Sequence, residues 1–438
     1  MTGRETALQV LTACRKLDAW SDGSLKAASR GLDRREAAFA ARLTYGVLQN
    51  RAYLDFCLDQ YCAQGMEKLE PFVRDVLRLG AYQILFMDRV PHSAAVSQAV
   101  DMAKSHRRQR AAGLINAVLR KVSQNKDHLP AVPAEDPVQY LSIRYSHPRW
   151  LVEQLLALLG REEAEEFLRL DNGSVPVTIQ RNPLRCESGE ALTAALAEAG
   201  ANAVPHPWLP DCWAVSGAGN LEELDAFKSG LFQVQDAAAK AAVLAAGAEP
   251  GNRVLDVCAA PGGKSFAAAM AMGNRGEIVS CDIHPHKLAL IEKSAQRLGI
   301  SCITTALQDG RENREEWNDS FDLVLCDVPC SGLGIIRKKP DIRYKDPKAL
   351  AGLPAIQEAI LNNAARYVRP GGVLLYATCT ILPQENDQVV GRFLADHPEF
   401  HQEPFTLQGR GERCKGSLTL WPQRHGTDGF YFCKMRRA

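Results

Sequence analysis

The 438-residue chain has no run of about 18 apolar residues, so no segment can cross a bilayer as a helix. Its opening, MTGRETALQV, lacks the apolar core of a signal peptide, and a cytoplasmic protein with no membrane partner is expected. Cys-x-x-Cys pairs are also missing. The 13 cysteines are odd in number and scattered, which argues against a disulfide framework and a structural zinc site. No metal is expected, and most cysteines should be small buried hydrophobes. Net charge is nearly absent at +1, yet residues 1–150 hold 22 basic against 15 acidic residues, so the front of the chain is where a polyanion would bind. Nothing points to a homo-oligomer, and a monomer is expected.

Up to about residue 125, strand-like alternation is absent and prolines are rare. Leu8, Leu11, Cys14 and Leu17 recur at helical spacing, as do Phe39, Leu43, Val47, Leu54 and Leu58, which predicts an all-α bundle. Near its end, Lys104, Arg107, Arg108 and Arg110, followed by Arg120 and Lys121, surround a helix with Leu114, Ile115, Val118 and Leu119 on its apolar face. The basic residues read either as a solvated helix face or as an RNA-phosphate footprint. Pro130, Pro133 and Pro137 then mark a linker. Residues 139–235 predict a small α+β unit: a helix around 150–159, a strand at 175–180, a helix at 189–199, and short strands at 213–215 and 231–234. A ferredoxin-like arrangement is expected there.

From 236 onward strands and helices alternate. Strands are predicted at 254–257, 277–281, 302–306, 322–326 and 373–376, with helices at 265–272, 285–298, 354–368 and 385–396. This is the pattern of a doubly wound parallel sheet, which binds ligands at the carboxyl ends of its strands. Residues 429–435 predict one further strand, antiparallel to the rest. Within this region Arg253–Ser265 reads RVLDVCAAPGGKS, a strand, a tight turn and a helix start. Glycines there let a ligand approach the backbone beside free helix N–H groups. Alone, the stretch fits any βα turn. Asp282, ending the next apolar run about 20 residues on, stands where an acid meets the ribose of an adenosine cofactor.

Asp282, Asp309 and Asp327 all sit where strands end, and so belong to one sheet edge. Singly, each reads equally as a cap or turn residue. Cys326-Asp327-Val328-Pro329-Cys330 follows the fourth strand and Ala377-Thr378-Cys379-Thr380 the fifth. Neighbouring strands lie about 4.8 Å apart, so both loops can reach one small ring. Two thiols and an acid suit methylation of pyrimidine carbon 5. A thiolate adding to carbon 6 makes carbon 5 nucleophilic toward a sulfonium methyl, an acid near N3 stabilises the adduct, and a base then removes the carbon 5 proton. Spacing alone does not choose between the two thiols.

Two resemblances extend this reading. The segments LRLGAYQILF (from Leu77), RVPHSAAV (from Arg89) and NAVLRK (from Asn116) resemble the NusB-type helical RNA-binding domain, over most of residues 1–125. Further on, Cys258-Ala259-Ala260-Pro261-Gly262-Gly263-Lys264, Asp282, Gln308-Asp309-Gly310-Arg311, Asp327-Val328-Pro329-Cys330-Ser331-Gly332, Thr378-Cys379-Thr380 and Glu385-Asn386 occur in order. They resemble the RNA cytosine-C5 methyltransferase (NSun) family. Val328, Thr380, Gln308 and Asp387 depart from the usual family residues without removing a reactive group.

The resemblance implies that Cys258–Lys264 hold S-adenosylmethionine, Asp282 its ribose and Asp309 its adenine end, with Asp327 touching both cofactor and base. It implies Cys379 as nucleophile and Cys330 as the thiol that helps release product. The expected whole is multidomain: an all-α NusB-like bundle (1–127), a small α+β unit (139–235) and a Rossmann-like S-adenosylmethionine methyltransferase domain (236–438). The expected activity is formation of 5-methylcytosine in 16S ribosomal RNA, naked or in an early small-subunit particle. A methyltransferase for transfer or 23S ribosomal RNA, and a non-enzymatic RNA-binding factor, are the alternatives.

Overall fold

The computed structural model describes residues 2–17, 20–173 and 175–438. The chain forms two compact units. One holds Met1–Gly173 with Ile336–Lys345, the other Ser174–Ile335 with Asp346–Ala438.

The first unit is helical: α1 (Gly3–Leu17), α2 (Ser21–Ala28), α3 (Arg34–Asp59), α4 (Pro71–Phe86), α5 (His92–Ser105), α6 (Gln109–Gln124), α7 (Pro137–Arg144) and α8 (Arg149–Asp171). Asp33 caps α3 by accepting from the Arg35 and Glu36 amides, and Pro71 opens α4, where its missing N–H has no partner to lose. α4 is central, with Val73, Val76, Leu77, Leu79, Ala81 and Ile84 all buried. Leu8, Leu11, Leu43, Val47, Leu54 and Leu58 join it in one core, as do Ile115, Val118 and Leu119 of α6; the side chain of Leu17 lies outside the described residues. The helix expected over 150–159 ends at Gly160, whose φ of +74° breaks it, and a second helical stretch runs on to Asp171.

The second unit carries two principal sheets. β1 (Val177–Arg181), β2 (Asn202–Pro205), β3 (Cys212–Ser216) and β4 (Phe232–Val234) form an antiparallel sheet in the order β2-β3-β1-β4. Leu192 and Leu196 of α9 (Gly189–Glu198) and Ala226 of α10 (Asp225–Lys228) share its core with Ile179, Trp213 and Phe232. The edge strand β2 has no counterpart in the sequence prediction, since none of its residues is buried and it gives no apolar alternation.

The larger sheet contains β5 (Arg253–Asp256), β6 (Glu277–Asp282), β7 (Ile303–Leu307), β8 (Phe321–Asp327), β9 (Val368–Thr378), β10 (Phe400–Gln402) and, beyond the small hairpin of β11 (Phe405–Leu407) and β12 (Glu412–Cys414), β13 (Ser417–Leu420) and β14 (Phe430–Arg437). The order is β10-β14-β9-β8-β5-β6-β7, with β13 also on β14. β5 to β9 are parallel and β14 runs antiparallel to β9, as the sequence predicts for 429–435. Side chains alternate between two cores. Val254, Ile278, Leu323 and Leu325 pack with α11 (Ala237–Ala246), α12 (Gly263–Ala271) and α13 (Pro285–Leu298). Leu255, Val279, Val324 and Cys326 pack with α15 (Leu353–Tyr367) and α16 (Asp387–Asp396). Helices therefore cover both faces of a doubly wound sheet, and the order reverses between β5 and β8. Ligands of such sheets bind at that reversal, outside the carboxyl ends of the strands.

Candidate active site

β5 ends on Asp256 at the reversal point. Its carboxylate is fully buried and accepts from Ser265 Oγ at 2.7 Å, while Ser280 Oγ donates to Ser265 Oγ at 2.8 Å. Burial pushes this carboxyl up to about 6. Its Oδ1 has no hydrogen-bond partner. The turn that follows carries Cys258 to Lys264 into the first residues of α12, and Gly262 occupies φ +103°. A Cβ at Gly262 would lie 2.4 Å from the Phe266 ring, so only glycine keeps this close turn. The Cys258 thiol is pushed up by burial and stays neutral.

Asp282 ends β6, buried, with its carboxylate accepting from the His284 amide at 2.9 Å and ion-paired with Lys287 at 3.6 Å. Asp309 follows β7, and both its carboxylate oxygens accept hydrogen bonds from Arg311, which hold it below the usual carboxylate range. The Gln308 amide donates to the Asp282 carbonyl at 3.2 Å, joining the two strand ends. Asp327 ends β8 and pairs with Lys264 at 2.5 Å. Burial pulls the Lys264 ammonium down, but Asp327 outweighs it, and the lysine stays charged. The structure thus brings Lys264 and Asp327 into contact, and Asp282 and Asp309 to adjoining strand ends.

The β8–β9 register pairs Asp327 with Ala377, so the loops leaving both strands start level. Cys330 Sγ and Cys379 Sγ lie 3.1 Å apart. The bond to Cys379, and then burial, push the Cys330 thiol well up, which keeps it protonated. Cys379 is also close enough to Lys264 for its charge to act on that ammonium. Both loops are braced. Gly334 N–H donates to the Cys379 carbonyl at 3.0 Å, and the Ser331 and Thr380 hydroxyls bond at 2.7 Å. Glu385, buried, accepts from the Ser331 amide at 2.9 Å and from Gln357 Nε2 at 2.8 Å, and Gln357 also donates to the Pro329 carbonyl. Asn386 takes the Thr378 hydroxyl at 2.6 Å and donates to the Thr380 carbonyl.

The sequence marks Glu385 and Asn386 only as part of a motif, and does not single out Asp256, Ser265 or Gln357. Asp256 carries a usable signal: it ends its strand as Asp282 and Asp327 end theirs. Gln357 carries none, because its role depends on where α15 packs.

The six basic residues of the front region lie around the α5–α6 turn and along α6. Arg108 is ion-paired with Glu70 at 2.8 Å, and Arg120 bonds Asn116. Lys104 and Arg120 flank one surface groove with His92 and Ser123. Among the described residues, no group of three or more His, Cys, Asp or Glu could hold a metal ion, and no helix is long and apolar enough to cross a membrane.

A doubly wound sheet with a glycine turn after its first parallel strand, an acid ending the second and thiols at the fourth and fifth defines an S-adenosylmethionine-dependent methyltransferase. The buried Asp256 oxygen without a partner and the Gly262 turn fit that cofactor. Family models agree: residues 242–436 match 16S rRNA methyltransferase RsmB/F, 1–124 match the NusB family, and 147–222 match an RsmF/B-like ferredoxin-like domain. The chain is 35% identical to the "Probable ribosomal RNA small subunit methyltransferase B" of Bacillus subtilis (strain 168), covering 99% of this chain and 98% of that one. It is 32% identical to ribosomal RNA small subunit methyltransferase B of Pseudomonas putida, with 99% and 98% covered. The crystal structure of PH0851 superposes with a TM-score of 0.81 at 27% identity, covering 99% and 98%. The chain belongs to the ribosomal RNA small subunit methyltransferase B family.

Proposed function

We propose that this enzyme methylates carbon 5 of one cytosine in 16S ribosomal RNA. The observation that carries the reading is the Cys330–Cys379 pair at 3.1 Å, at the same sheet edge as the Lys264–Asp327 pair. The names of the relatives support small-subunit ribosomal RNA as the acceptor. The helical region 1–127 and the unit 139–235 would grip RNA, and 236–438 would do the chemistry, in a cytoplasmic monomer.

S-adenosylmethionine, when bound, supplies an electrophilic methyl group. Cys258–Lys264, Asp282 and Asp309 bind and orient it. The Cys379 sulfur, as thiolate, adds to carbon 6, forming a carbon–sulfur bond and pushing electron density to carbon 5. Asp327 hydrogen-bonds the ring near N3. After carbon 5 has taken the methyl group, its proton leaves to a base, the carbon 5–carbon 6 double bond re-forms and the Cys379 sulfur departs. Cys330 assists that release.

Cys379→Ala is expected to abolish methyl transfer from labelled cofactor to unmethylated small-subunit RNA; retained transfer would remove Cys379 as nucleophile. Cys330→Ala is expected to accumulate a covalent RNA–protein adduct, seen as a shifted band on a denaturing gel. Wild-type turnover with no shifted band would overturn the role of Cys330. Bisulfite sequencing of ribosomal RNA from cells with and without the protein identifies the cytosine. Transfer RNA or 23S RNA as the preferred acceptor would overturn the substrate.

A further inference from the structure

The helical unit encloses a cavity of about 240 Å³ that the reaction above does not use. α1, α3 and α4 line it together with Asp341, Tyr344 and Lys345 from the segment Ile336–Lys345, which belongs to this unit. That segment is firmly held. Arg343 is fully buried, and its Nη1 donates to the carbonyls of Gln49 and Ser146 at 3.1 and 3.0 Å and to Asn172 Oδ1 at 2.9 Å. Tyr344 donates to the Leu48 carbonyl, and Asp341 accepts from Ser21 Oγ at 2.6 Å. The cavity wall is therefore preorganised.

Among the described residues, four arginines and Lys345 line the cavity, against Asp75 and Asp341. Asp75 takes Arg15 and Arg78, each at 3.1 Å, and Asp55 takes Arg78 from behind at 2.7 Å. Arg51 and Arg74 have no carboxylate partner among the described residues. The Arg51 guanidinium lies 4.3 Å from the Tyr344 ring centroid, and Arg74 Nε is buried with no hydrogen-bond partner. Guanidinium groups lining a cavity without a carboxylate are unfavourable there, and an anion in the cavity would offset their charge. Trp20, 47% exposed, completes the lining with the Lys345 ammonium 3.5 Å from its ring centroid.

We infer that this cavity binds a phosphodiester of single-stranded RNA, with Arg51 and Arg74 donating to the phosphate and Trp20 bordering the adjoining base. The inference rests on the RNA methyltransferase reading and adds a place where the helical unit holds the substrate. Guanidinium forks match phosphate oxygens in pairs, and aromatic rings beside cations grip single strands without reading sequence. The cavity is smaller than a pocket for a whole drug-sized ligand, so it suits one link of a longer chain. It is separate from the α5–α6 basic cluster, where Glu70 already neutralises Arg108.

The full-length protein and its Arg51→Gln/Arg74→Gln variant would be titrated with fluorescent single-stranded RNA from the small subunit across a salt series. We expect affinity to fall by roughly tenfold or more, and the slope of log affinity against log salt to flatten by about one for each phosphate that the variant no longer neutralises. Ultraviolet crosslinking of 4-thiouridine RNA to the wild type, read by peptide mapping, should tag Trp20 or Tyr344 and needs no variant. Unchanged affinity and slope, or crosslinks confined to other segments, would overturn the cavity site while leaving the methylation reading intact. Weakened binding in the variant together with no methyl transfer by the wild type to small-subunit RNA would overturn the methylation reading and leave the cavity site standing. Displacement of the RNA by inorganic phosphate or uridine monophosphate at micromolar concentration would show a small-anion site and overturn the RNA assignment.

Discussion

At the scale of single residues, three acids at strand ends live in different environments and do different things. Asp309 is held ionised by Arg311 and Asp327 sits against Lys264, whereas for Asp256 burial outweighs the Ser265 hydroxyl and the more distant Lys264 charge. Burial raises its carboxyl to about 6, against about 3.9 in an unfolded chain. Between those values the folded chain keeps a proton that the unfolded chain has lost. The stability this provides is complete below about pH 4 and disappears as pH rises through about 6, a change of roughly 3 kcal/mol. Asp256→Asn should therefore flatten the fall in stability between pH 4 and 6.5, measured as the wild-type minus variant difference in urea melts. A constant difference across that range would mean that the carboxylate is already ionised in the fold. The strand-end positions of Asp309 and Asp327 were legible in the sequence and that of Asp256 was missed; the protonation of all three was not legible, because it depends on what packs around each.

At the scale of elements, the site depends on two close approaches. Gly262 turns β5 into α12 at positive φ with the Phe266 ring beneath it. Gly262→Ala should weaken cofactor binding at least tenfold by calorimetry, since a strained residue there costs about 1–3 kcal/mol and moves the turn. Gly334 closes the Cys330 loop against β14's approach, and a Cβ there would stand 1.9 Å from the Gly429 carbonyl oxygen. Gly334→Ala should lower methyl transfer by more than tenfold while cofactor affinity stays within about twofold, because the clash lies in the thiol loop and not in the glycine turn. Affinity and activity falling together would show that the two loops are not separable. The parallel strands and the helices α12, α13, α15 and α16 were legible because each repeats a local period; α11, an alanine-rich run, was not. β10 and β13 were not: they are three and four residues long, and pairing with β14 alone defines them.

At the scale of the whole molecule, the chain does not divide at one point. The thiol loop of Cys330 runs straight into Ile336–Lys345, which completes the helical unit, and only afterwards returns to α14 (Pro347–Leu350) and α15. A fragment of residues 1–173 should therefore lack part of its own core. We expect it to melt at least several degrees below the helical unit in the full chain, and to gain stability when a peptide of residues 334–347 is added, by simple binding linkage. A fragment that melts high and ignores the peptide would show that the segment is dispensable.

What the sequence determined by itself was the residue chemistry and its order along the chain: a glycine turn, acids at strand ends and cysteines after the fourth and fifth strands. A doubly wound sheet places all its strand ends on one edge whatever the details, so local periodicity was enough to assemble that set. Only the tertiary structure decided that Cys330 and Cys379 meet at 3.1 Å, that Glu385 and Gln357 clamp the first loop, and that Arg343 anchors a catalytic-region segment among helices. Those contacts join residues from 28 to 294 positions apart. No local pattern encodes such pairings, because they follow from strand register and helix packing set by the whole core.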